Sequence, residues 1–237
     1  MCRMIAKIGD YPINEMIKSI VLMSKDQHID HELNPSGRGT WLHDSGWSAA
    51  WLTNNEWRRM ASVNKIYLDN MEDLHALSSS IISIHARKAT YGDVREENLH
   101  HFSAEKNGTP WTFCHNGHIH DIYQVNARVR GSTDSERLFH RILEYGDDIK
   151  QSFITVLSSL KEYSGVNTFL HSPNVTYVSV LFKERPTYYG LCIGRSKDAV
   201  LLSSEAVDMP GVEWELVPNR SIVTVDHTTL NVTVESF

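Results

Sequence analysis

Beyond residue 167 the chain is a succession of short apolar runs, at 175–182, 188–193, 199–203, 221–225 and 230–234. Most of the gaps between them are too short to hold a crossover helix. Strands joined that way pair antiparallel, because a parallel connection needs a dozen or more residues. Earlier runs at 5–8, 46–52 and 81–85, and one within 109–115, read as further strands. Two helical stretches stand out between them. Residues 12–23 begin with Pro12 and carry Ile13, Met16, Ile17, Ile20 and Val21 on one face. Thr133-Asp-Ser-Glu136 reads as a capping sequence before a helix over 137–145 that ends at Gly146, with a second helix over about 148–160. The pattern predicts an α+β chain of mainly antiparallel sheet. With no repeat, low-complexity tract or linker, residues 1–237 are expected to form a single domain.

Composition narrows the classes of function. A net charge of −6 without a basic stripe argues against nucleic acid as the main partner. Cys2, Cys114 and Cys192 are too few and too scattered for a disulfide framework, and suit a reducing compartment. The first ten residues carry Arg3, Lys7 and Asp10, which leaves no apolar core for a signal peptide, and no later run is long enough to span a membrane. A cytoplasmic protein with no membrane partner is expected.

Chemistry enters at Cys2. If Met1 is removed, this residue carries both a thiol and its own α-amine, whose usual pKa of about 7.7–8.0 suits a general base. Alone, a cysteine here is equally a small apolar residue of the first strand. His115-Asn116-Gly117 can supply an amide side chain and a backbone N–H to an oxyanion, although Asn-Gly is also a common hairpin turn. In His85-Ala-Arg-Lys-Ala-Thr90, Arg87 and Thr90 suit a carboxylate; alone, an arginine there is an ordinary surface residue. Asp134 suits an ammonium, or caps a helix.

Together these segments, in this order, resemble the class II glutamine amidotransferases, the N-terminal-nucleophile hydrolases found at the start of glucosamine-6-phosphate synthase and amidophosphoribosyltransferase. Glu97-Asn98, His100, Phe102 and residues 111–117 look most like the stand-alone members, some of which cleave γ-glutamyl bonds, and Leu201-Leu-Ser-Ser-Glu205 resembles a late strand segment of the same family. The resemblance implies a four-layer αββα sandwich with two mainly antiparallel sheets. It implies Cys2 as nucleophile, its α-amine as base, and Asn116 with the Gly117 N–H as oxyanion hole. Arg87, helped by Thr90, would hold the glutamine carboxylate and Asp134 the α-ammonium. Glutamine or a γ-glutamyl compound would be cut through a thioester, releasing ammonia or an amine, and a separate synthase would be the partner for free ammonia. No cofactor is implied.

Departures from the family pattern fall around the acceptor side. Lys88 and Tyr91 replace the Trp and His usual in the synthases, His101 stands where stand-alone members tend to have proline, and Ser45-Gly-Trp-Ser48 is an imperfect Asp-Gly-Trp-Gly. The synthases carry a second large domain, and none is expected here. Three other readings stay open: an acylase with the same N-terminal thiol acting on another amide, an inactive amidase-like subunit that binds a partner, and a metal held by His115, His118, His120 and Asp121. Thirteen histidines make that last spacing easy to reach by chance, so no metal is expected.

Overall fold

A computed structural model describes residues 2–90, 92–122 and 129–237 of the protein. The elements run β1 (Arg3–Gly9), α1 (Ile13–Ser24), β2 (Trp47–Thr53), β3 (Glu56–Ser62), α2 (Glu72–His75), β4 (Ile81–Ala86), β5 (Phe102–Lys106) and β6 (Thr109–Ile119). They continue with α3 (Asp134–Tyr145), α4 (Ile149–Ser159), β7 (Tyr163–His171), β8 (Val175–Val180) and β9 (Cys192–Arg195). The chain closes with β10 (Ala199–Ser203), β11 (Glu213–Leu216), β12 (Ser221–Asp226) and β13 (Val232–Ser236). The first sheet has seven strands in the order β11-β9-β10-β1-β4-β2-β3, and the second has six in the order β13-β12-β8-β7-β6-β5. All these pairings are antiparallel.

Side chains alternate across each strand, so both faces of each sheet must find cover. On β1, Met4, Ala6 and Ile8 meet Cys114, Phe169, Val178 and Val223 of the second sheet. Ile5 points the other way, with Ile82, Ile84 and Leu201, onto Met16, Ile17, Ile20 and Met23 of α1. The second sheet turns Phe113, Val166 and Leu170 outward onto Leu138, Phe139 and Ile142 of α3 and Phe153 and Val156 of α4. Three apolar seams between four layers follow, which is the expected αββα sandwich.

Several local expectations need correction. The strand read over 188–193 begins only at Cys192. Tyr188 and Tyr189 instead form a buried aromatic cluster of their own with Trp41 and Phe182 nearby. β3, β5 and β11 gave no apolar run to read, and each lies at a sheet edge. Charged residues such as Glu56, Arg58, Glu105 and Glu213 suit an edge, where an apolar strand invites unwanted pairing. Asn116-Gly117 is not a hairpin turn: β6 continues through Ile119, with Asn116 opposite Asn167 and Gly117 opposite Val166 on β7.

One buried charge anchors the start of β1. Arg3 is fully buried and its Nε lies 2.7 Å from Oε1 of Glu205, whose other oxygen lies 2.8 Å from Nδ1 of His28. The guanidinium also donates to the Tyr188 carbonyl at 3.1 Å and sits 4.3 Å from the centre of that ring. Removing one member of a buried pair strands the other charge, at a cost of about 3–5 kcal/mol. Arg3→Ala should therefore lose about that much stability in urea unfolding. Arg3→Met with Glu205→Leu should lose clearly less than the sum of the two single changes.

Candidate active site

Cys2 immediately precedes β1, and alternation puts its side chain on the inner face with Met4, toward the second sheet. Arg3 pairs with Ala86, so continuing the register by one residue sets Cys2 beside Arg87. The backbone nitrogen of Cys2 donates to Oδ1 of Asn116 across the two sheets at 2.7 Å. That bond fixes the asparagine amide: its oxygen faces Cys2, and its NH2 is the end left for another partner. Gly117 follows at φ +145°, and a Cβ there would stand 1.7 Å from the Gly165 carbonyl oxygen, so only glycine fits. A Cβ on Gly165 would in turn strike the Tyr189 ring at 2.4 Å.

Cys2, Arg87, Thr90, Gly117 and Asp134 line one cleft, and Asn116 lies directly behind it. The structure thus gathers every site residue expected from sequence. Arg87 is buried and donates to the carbonyls of Asp93 at 3.0 Å and Gly92 at 3.4 Å. Asn98 donates to the same Asp93 carbonyl at 3.0 Å and accepts from the Ser132 N–H at 2.8 Å, tying the loop after β4 to the loop before α3. Thr133, not Asp134, is the N-cap of α3, accepting from the Glu136 N–H. Glu136 reaches back to the N–H groups of Arg130 and Gly131, both at 2.8 Å. Asp134 is left to accept from the Ile119 N–H at 2.8 Å, with His118 at 3.4 Å. Burial raises the Asp134 carboxyl, but His118, His115 and the Ile119 N–H outweigh it and hold the group below its ordinary range.

The three thiols differ sharply. Burial pushes Cys114 up to about 12 and Cys192 up to about 11. Burial acts on Cys2 in the same direction, yet the charge of His85, that of the chain terminus, a hydrogen bond from His85 and one from the Lys88 backbone bring it down to about 6. His85 was not singled out from sequence as a site residue. The available signal was its place on the inner face of β4, two residues before Arg87 and opposite Met4.

The departures also have places. Lys88 donates to the Leu42 carbonyl at 2.8 Å and lies 4.5 Å from the centre of the Trp41 ring, on the rim of the cleft. Ser48 and His101, both unlike the family pattern, touch each other at 3.3 Å, and His101 reaches Ser83 at 2.9 Å. Tyr91 lies outside the described residues, as does Met1. The residues considered for a metal do not come together as a set, although the His118 and His120 rings pack with centres 4.3 Å apart. His115 turns its ring nitrogens to Ser135 and the Gly165 carbonyl, His118 faces Asp134, and Asp121 accepts from the Lys161 N–H. Among the described residues no group of three or more metal-ligating side chains comes together. No described helix is long and apolar enough to cross a membrane.

Comparison with known proteins fixes the family. The sequence profile of the class-II glutamine amidotransferases matches residues 22–167, well over half of the chain. The chain belongs to the class II glutamine amidotransferases. The matched span includes Arg87, Thr90, Asn116, Gly117 and Asp134 and begins after Cys2. YafJ of Escherichia coli (strain K12), a protein named as a glutamine amidotransferase, is 33% identical over 110 residues, covering 44% of this chain and 43% of its own. A Haemophilus influenzae protein named likewise is 33% identical over 109 residues, 45% of this chain and 35% of its own. The aligned region therefore spans less than half the length of these curated relatives.

Solved structures share the fold at low identity. Glutamine phosphoribosylpyrophosphate amidotransferase from B. subtilis superposes with a TM-score of 0.73 at 17% identity, over 99% of this chain and 49% of its own. A class-II domain protein from Silicibacter pomeroyi gives 0.65 at 16% identity, over 100% of this chain and 99% of its own. This family member buries several histidines that are held neutral, and one of them, His100, lines the candidate site. Burial, followed by neighbouring positive charge, pushes His43, His100 and His101 well below the ordinary imidazole range, and His171 falls to about 3. Unfolded, each binds a proton near pH 6.5; folded, each resists it. Below that pH the unfolded state holds more protons, so stability must fall with pH. Urea unfolding from pH 7.5 to 5 should show stability declining from about pH 6.5, with a slope above that of a single histidine, about 1.4 kcal/mol per pH unit. His101→Asn should flatten that slope.

Proposed function

We propose that this protein hydrolyses the side-chain amide of glutamine or a γ-glutamyl amide, with Cys2 as nucleophile after removal of Met1. The observation that carries the reading is the single cleft on which the lowered thiol, a buried arginine and a buried carboxylate converge. The thiolate attacks the amide carbon and forms a C–S bond, while the carbonyl electron pair moves to oxygen. Asn116 Nδ2 and the Gly117 N–H are the donors suited to that oxyanion. Collapse expels ammonia or an amine, which takes a proton as it leaves, and water then releases glutamate from the thioester. Arg87 with Thr90 reads the α-carboxylate and Asp134 the α-ammonium, so the enzyme recognises the amino-acid end of its substrate. Free ammonia would be handed to a separate synthase.

A screen of glutamine and γ-glutamyl amides, on protein whose N-terminus is set by intact mass, tests this reading. Cys2→Ala should abolish turnover and keep the fold, and a glutamine-like diazo-ketone should label Cys2 and neither other thiol. Asn116→Ala should lower kcat about 10²–10³-fold, or about 2.7–4 kcal/mol, with a much smaller effect on KM. Blocking the α-carboxylate or α-amine leaves a buried charge unpaired, so both blocked glutamines should be very poor substrates. Arg87→Ala should narrow the gap between the free acid and its amide. Equal rates on free and blocked glutamine would overturn the head-group assignment and favour an acylase acting on another amide.

A further inference from the structure

Asn98 does not line the cleft, yet it is fully buried between the two loops that carry the site's charged side chains. Its amide is used at both ends. Oδ1 accepts from the Ser132 N–H at 2.8 Å, a group that only donates. Nδ2 donates to the Asp93 carbonyl at 3.0 Å, a group that only accepts, and to the Ser132 hydroxyl at 3.2 Å. These two backbone partners fix which way the amide points. The Asp93 carbonyl also accepts from Arg87 Nη1 at 3.0 Å, so one oxygen joins the guanidinium to the Asn98 amide. On the other side, Ser132 stands just before Thr133, the N-cap of α3, and two residues before Asp134.

We propose that Asn98 is a positioning residue that holds Arg87 and Asp134 at one fixed separation, so that both ends of the glutamyl head group are read together. The proposal rests on the head-group roles given to those two residues above. Opposite charges on one cleft attract, the more so where they are buried. Drawn together, they would fill the space a zwitterionic head group needs. Each is instead tethered backwards, Arg87 to the Asp93 and Gly92 carbonyls and Asp134 to the Ile119 N–H. Asn98 links the loops behind them.

The surroundings suit a rigid link. A Cβ on Gly92, at φ +73°, would lie 3.2 Å from the Ser132 hydroxyl, 3.3 Å from Asn98 Nδ2 and 3.7 Å from Arg87 Nη2, so the two loops meet with little room between them. A Cβ on Gly131 would overlap Asn98 Oδ1. Asn98 is itself anchored from outside the site. Its N–H donates to the Arg95 carbonyl at 3.1 Å, and Arg59 of β3 donates to the carbonyls of Glu96 at 3.3 Å and Leu99 at 3.1 Å, on either side of it. The link therefore starts on a strand of the first sheet and ends at the start of α3.

The experiment compares kcat/KM for free glutamine with that for its α-amide and for its N-acetyl form, as two ratios. Loss of folded protein scales all three values alike and cancels, so a merely structural role moves neither ratio. Asn98→Ala should lower both ratios together, each by about tenfold or more, because displaced readers cost the free substrate contacts that the blocked forms never make. Unchanged ratios, or a fall in only one, overturn the proposal. Gly131→Ala keeps every polar group but crowds the Asn98 amide, and covers the case where Asn98→Ala does not fold. It should lower both ratios as well; wild-type ratios in that variant count against the proposal. A second readout needs no substrate. By NMR, Asn98→Ala should speed both rotation of the Arg87 guanidinium and hydrogen exchange at the Arg130 and Gly131 N–H groups, which bond to Glu136. A change on one side alone would sink the link. A wild type that cuts free and blocked glutamine equally, or cuts neither, refutes the head-group reading instead, and the NMR result still decides whether Asn98 joins the loops.

Discussion

A guanidinium wholly removed from water must be neutralised where it lies, and the position of β1 follows from how Arg3 achieves this. Glu205, just past β10, meets it at 2.7 Å, and the Tyr188 carbonyl and ring close over it. The neighbouring residue is Cys2. A chain start would ordinarily fray, since few contacts hold it. Here the ion pair, the Ser204 hydroxyl accepting from the Met4 N–H, and Asn116 accepting from the Cys2 nitrogen fix both sides of that thiol. The sandwich supplies the rest: β1 lies in the interior of its sheet and β6 in the interior of the other, so the thiol and the Asn116 amide meet where the two inner faces open to the cleft.

Polar chemistry at this depth depends on saturating hydrogen bonds nearby. The Arg87 guanidinium and the Asn98 amide share the Asp93 carbonyl, while Glu136 satisfies two N–H groups ahead of α3. Asp134 spends part of its acceptor capacity on the Ile119 N–H. These bonds tie loops and element ends to one another, so the cleft wall is held by the same elements that form the core.

Much of this was legible in sequence, and the misses have physical causes. The strands over 81–85 and 199–203 were readable because both of their faces are buried, which makes them continuously apolar. The edge strands β3, β5 and β11 were not, because an edge selects charged residues that erase the alternation. Tyr188 and Tyr189 looked like strand residues by composition; the Arg3 guanidinium and the close approach to Gly165 claim those rings instead. The candidate site was legible because its residue types form short local words such as Arg87 to Thr90 and His115 to Gly117. His85 escaped notice because a lone buried histidine carries no such word, and its importance appears only once β1 and β4 are set side by side.

The contact between Ser48 and His101 has a consequence for how this chain can change. His101 is buried, with one ring nitrogen on the Ser48 hydroxyl and the other on Ser83. Replacing the serine alone by glycine strands an imidazole nitrogen, and replacing the histidine alone by proline takes that partner from the Ser48 hydroxyl and leaves the Ser83 hydroxyl only the Cys114 thiol at 3.9 Å. Exchanged together, they shed most of that cost. Positions 48 and 101 therefore act as one locus under substitution, and a variant that alters one of them is best made as a pair.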